Sequence, residues 1–72
     1  MKVLLRNLLT GSYYRGGCDW TAERRHALDL QHTETALRLA AHFRLEAAEV
    51  VLAFPDPHDD VVLPCGSPWW QN

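Results

Sequence analysis

Four histidines, two cysteines and nine acidic residues are the first groups in this 72-residue chain whose types would do chemistry. A zinc site takes its ligands in close pairs, such as Cys-x2-Cys or His-x3-His, because one turn or loop must supply two corners of a tetrahedron. No such pair occurs here. His26 and His32 are six positions apart, His32 and His42 ten, and Cys18 stands far from Cys65. His58 among Asp56, Asp59 and Asp60 makes a local cluster of nitrogen and oxygen donors. Pro55 and Pro57 mark it as a solvated turn, and it lacks the glycine and final glutamate of a calcium loop. Neither a metal nor another cofactor is expected.

Nucleophilic catalysis finds as little support. Ser12, Ser67, Cys18 and Cys65 are the candidates, none lies in a context such as Gly-x-Ser-x-Gly, and no base can be assigned to any of them. The chain is not expected to be an enzyme. Tyr13, Tyr14, Arg15, Trp20, Arg24 and Arg25 mix cations with aromatic rings, the combination that holds single-stranded nucleic acid. Asp19 and Glu23 interrupt that stretch, and the net charge is −2. Nucleic-acid binding through these six residues is therefore the alternative reading rather than the leading one.

The elements that would position such groups follow from length and periodicity. Hydrophobic residues make up 47% of the chain and charged residues 22%, a globular mix. A chain this short buries only ~60% of its unfolded surface, so its core is small and gains from a partner. Met1 to Leu5 is stopped by Arg6 before it reaches the length of a signal or membrane segment. A cytoplasmic protein with both thiols reduced is expected. All seven basic residues fall within 1–44 with four acids, and 45–72 holds five acids and no base. The two halves are expected to face each other across one core. The other reading is a dipolar surface suited to head-to-tail contact.

Residues 2–9, Thr10-Gly11 and Tyr13 to Arg15 read as a β-hairpin, with Gly16-Gly17 ending its second strand. Alternation puts Val3 and Leu5 on one face and Leu4, Arg6 and Leu8 on the other. Thr21 is placed as the cap of a helical turn running to His26, and 27–30 as a short strand. Thr33 is placed as the cap of the main helix, whose apolar positions are Ala36, Leu39, Ala40 and Phe43. Residues 49–54 form the clearest strand and 61–63 a short edge strand. The fold class is α+β: a small, mainly antiparallel sheet of three to four strands with one helix on one face. Residues 1–64 form a single domain and 65–72 a C-terminal tail.

Leu5-Arg6-Asn7, Thr10-Gly11-x-Tyr13-Tyr14, Trp20-Thr21, Ala27 to Leu30, the Thr33 to Phe43 helix and Leu52-Ala53-Phe54-x-Asp56-Pro57 come in a familiar order. Over residues 2 to about 63 the chain resembles small bacterial proteins with a Tyr-bearing hairpin, Trp-Thr, a short strand, a Thr-capped helix and a strand. The resemblance implies a fold and no activity. Leu30, where an aromatic is commoner, and the Trp-Trp tail depart from it.

One helix covers one sheet face. The other face, offering Leu4, Leu8 and Leu52, needs an apolar cover, and Trp69 and Trp70 are the side chains available to provide it. The expected function is protein–protein interaction, most simply a homodimer, with Leu4, Leu8, Trp69 and Trp70 as the interface. Folding of the tail back over its own sheet is the rival arrangement.

Overall fold

A computed structural model of the chain describes residues 1–65. Five strands form one antiparallel sheet: β1 (Lys2–Asn7), β2 (Ser12–Gly16), β3 (Asp19–Thr21), β4 (Ala48–Ala53) and β5 (Val61–Pro64). Their order across the sheet is β3-β2-β1-β4-β5. Among the described residues a single α-helix, α1 (Thr33–His42), packs against β1 and β4. The α+β class holds, with five strands in place of three to four.

The apolar alternation decides which side chains meet the helix. Val3 and Leu5 of β1, Ala48 and Val50 of β4, and Ala36 and Ala40 of α1 form one buried cluster with Leu37, Leu39 and Phe43 against it. The small alanines let the helix approach the sheet closely, and the larger residues fill its flanks. Tyr14, Trp20 and Phe43 complete this layer as an aromatic trio with ring centroids 5.4 to 5.7 Å apart. Gly11, at φ 74°, lets the β1–β2 turn close, with its N–H donating to the Asn7 carbonyl over 2.8 Å.

Four expectations are corrected. Thr33 is the first residue of α1 and not its cap. His32 occupies the cap position, and no side chain bonds there. Thr21 ends β3, and its hydroxyl accepts from the Glu23 N–H, while a 3-10 turn begins at Arg24. Residues 27–30 form no strand. Leu28 N–H donates to the Tyr14 carbonyl and Leu30 N–H to that of Val3, while Asp29 Oδ1 accepts from the Val3 N–H at 2.9 Å. This segment fills the gap where β2 diverges from the start of β1, using a side chain where a ladder would use backbone. Finally, Leu52 lies opposite Val3 and packs on the helix side, so Val51 and Ala53 belong to the other face.

Candidate functional site

The face away from the helix is not the open apolar surface that one covering helix implies. Leu4 is only 1% exposed and packs with Val51, Ala53, Tyr13 and Ala27. Arg24 reaches over this region from the 3-10 turn. Its Nε donates to Asp60 Oδ2 at 2.9 Å, and its Nη2 donates to Asp60 Oδ1 at 2.7 Å and to the Phe54 carbonyl at 2.8 Å. Phe54 N–H donates to the same carboxylate. The Arg24 hydrogen bond holds the Asp60 carboxyl below the usual carboxylate range, against the opposing effect of desolvation. Leu4 therefore has no surface to offer a partner. Leu8 is exposed, in the β1–β2 turn. Trp69 and Trp70 lie outside the described residues.

The six residues of the nucleic-acid reading are divided by the sheet. Tyr14 and Trp20 are packed against Phe43 under the helix. Tyr13 is on the opposite face, with the Arg6 guanidinium 5.5 Å above its ring and Arg6 donating to Glu49 at 3.3 Å. Arg24 is held by Asp60. Arg15 and Arg25 remain exposed, Arg25 near Glu23 at 3.7 Å. Alternation along β2 puts Tyr13 and Tyr14 on opposite sides, so one groove cannot use both rings.

The remaining chemistry is local. His58 Nδ1 lies 3.0 Å from Asp56, whose carboxyl is held low first by the His58 backbone N–H and then by its ring. Among the described residues, no three His, Cys, Asp or Glu side chains are grouped to hold a metal ion. Cys18 is exposed, and Cys65 is buried, with its thiol pushed up by desolvation. A cleft of about 220 Å3 lies between the start of β1, the end of β4 and Arg24 and Arg25. It is smaller than the ~300 Å3 at which ordinary ligand sites begin.

A different surface stands out. Val61, Val62 and Leu63 are 46%, 48% and 41% exposed, and together they make up most of β5, the free edge of the sheet. β5 is tied down at both ends: Asp60 is clasped by Arg24 at its start, and Cys65 N–H donates to the Ala48 carbonyl at its end. The strand is thus held in place with its apolar side chains exposed among the described residues. The sequence marks 61–63 as an edge strand, but nothing there distinguishes an edge facing solvent from one that is covered. The available signal is an uncharged apolar run between Asp60 and Pro64.

Among the described residues, no helix is long and apolar enough to cross a membrane. No protein-family model, curated protein or solved structure matches the chain.

Proposed function

We propose that this chain is a small cytoplasmic protein-binding module that associates with itself, and that β5 is its docking element. The exposed apolar edge strand carries this reading. A free edge exposes unpaired backbone donors and acceptors. Soluble proteins blunt such edges with charges, bulges or cover unless the edge has a partner. Val61 to Leu63 has no charge and no bulge. Trp69 and Trp70 follow this strand closely in sequence, each with ~150–250 Å2 of surface, so the interface extends to residues able to bring it toward the ~1,200 Å2 of a specific contact. Leu4, being buried, is withdrawn from the interface, and Leu8 is exposed in the β1–β2 turn, apart from β5.

The experiment pairs light scattering over a range of concentrations with titration of a random single-stranded oligonucleotide at several salt concentrations. The expected result is a mass that rises with concentration and no salt-dependent binding. A constant monomer mass, with log K for the oligonucleotide falling as log salt rises, would replace this reading with the nucleic-acid one.

A further inference from the structure

The backbone of β5 specifies how a second copy docks. Antiparallel ladders alternate pairs that exchange hydrogen bonds with pairs that do not. Cys65 N–H donates to the Ala48 carbonyl, one step beyond the Glu49–Pro64 pair, so Ala48–Cys65 is a bonded pair. The opposite side of β4 agrees. Leu8 N–H donates to the Ala47 carbonyl, which leaves Ala48 facing β5. Stepping along β5, Leu63–Val50 is bonded, and Pro64–Glu49 and Val62–Val51 are not. Val62 and Pro64 therefore turn their backbone groups outward. Proline has no N–H. Among Val61 to Pro64, Val62 alone presents both a donor and an acceptor to the free edge.

Two-fold symmetry is compatible with that residue as the centre. Bonded and unbonded pairs alternate, so a two-fold axis between identical antiparallel strands must pass through a residue facing its own copy. An axis between neighbouring residues would make one pair bonded and its equivalent unbonded. We infer that two copies of this chain pair β5 with β5, Val62 opposite Val62 of the second copy, joined by reciprocal hydrogen bonds between their N–H and C=O groups into one ten-stranded sheet. This rests on the self-association reading and adds its geometry. Val61 then faces Leu63 of the second copy as an unbonded pair, with Cα atoms ~4.5 Å apart. β5 itself brings no charged side chain to the contact.

The opposite edge explains why growth stops at two. β3 is three residues long, begins with the exposed Asp19, and pairs with β2 through a register shift between Tyr14 and Gly16. A short, charged edge beside a bulge is a poor template for another strand. With one usable edge per copy, β5-to-β5 pairing closes, and no filament follows.

The test is Val62→Pro. This removes the outward N–H and leaves the β4–β5 bonds intact, because Val62 makes none of them. Circular dichroism confirms folding, and Val62→Lys serves as a second variant that keeps the N–H but places a charge at the centre of the contact. In both, dimer dissociation should rise at least ten-fold in concentration. Separately, in a Cys18→Ser background, Val61→Cys mixed with Leu63→Cys should form a covalent heterodimer under mild oxidation, and neither should cross-link efficiently alone. Folded Val62→Pro that dimerises like wild type, or cross-linking that ignores the 61–63 pairing, would overturn this geometry while self-association stood. A wild-type chain that stays monomeric at high micromolar concentration would overturn both and leave the edge to a strand of another protein.

Discussion

Arg24 joins three parts of the chain: the turn after β3, the end of β4 at Phe54 and the entry to β5 at Asp60. Charge-assisted hydrogen bonds in a half-buried setting make this clasp worth about 1–2 kcal/mol, and Arg24→Ala or Asp60→Asn should lower stability by that amount in urea melts. Asp29, Asp56 and Asp60 all have carboxyls held below their ordinary range. A depressed carboxylate stabilises the fold above its unfolded value near ~3.9 and loses that contribution as pH falls through its folded value. Thermal stability should therefore be flat from neutral pH to about 5 and fall below about 4, less steeply in Asp60→Asn. An equally steep fall in that variant would remove Asp60 from the account. Arg24 reads from sequence as part of a basic, aromatic stretch. Its partner lies 36 positions away, beyond the reach of local pattern. The charge division did foretell it, since Arg24–Asp60 and Arg6–Glu49 both join the basic half to the acidic half.

Among the elements, those with a full period or a β-branched run were legible, and the three-residue β3 was not. The 3.6-residue spacing of Ala36, Ala40 and Phe43 identified α1, and β-branched runs identified β4 and β5. β3 escaped because Trp20-Thr21 next to Glu23 resembles a helix start, while its strand character comes from pairing with β2 across Gly16-Gly17. The apolar–polar alternation of residues 27–30 is not realised as a strand face, since Leu30 is buried and Leu28 exposed, and the two residues bond to different strands and make no ladder. The layer contact rests on few large side chains. Leu5→Ala should cost about 2–5 kcal/mol and unfold a domain this small. Phe43→Ala, at the partly buried end of the aromatic trio, should cost about 3 kcal/mol and reduce near-ultraviolet circular dichroism from Tyr14 and Trp20. A Phe43→Ala melt within a degree or two of wild type would contradict the packing of α1.

For the molecule as a whole, the sheet has two unlike edges, and this asymmetry is the physical basis for proposing one partner surface and one symmetric partner. The proposal of an apolar partner rests in the sequence on the small size of the core and on Trp69-Trp70. Its location was not legible there, because covering the second face depends on where Arg24 and Ala27 come to rest. β5 is held by β4, Asp60 and Cys65, so a second copy would meet a strand already in shape, and little ordering would oppose the proposed contact. The most direct measurement is residue-resolved amide hydrogen exchange at rising protein concentration. The Val62 N–H should exchange fast in dilute solution and slow as the mass climbs from 8.2 kDa toward twice that value, while the Leu63 N–H, facing β4, stays protected throughout. A Val62 amide exchanging at one rate over the whole range, in a sample whose mass doubles, would contradict pairing through β5.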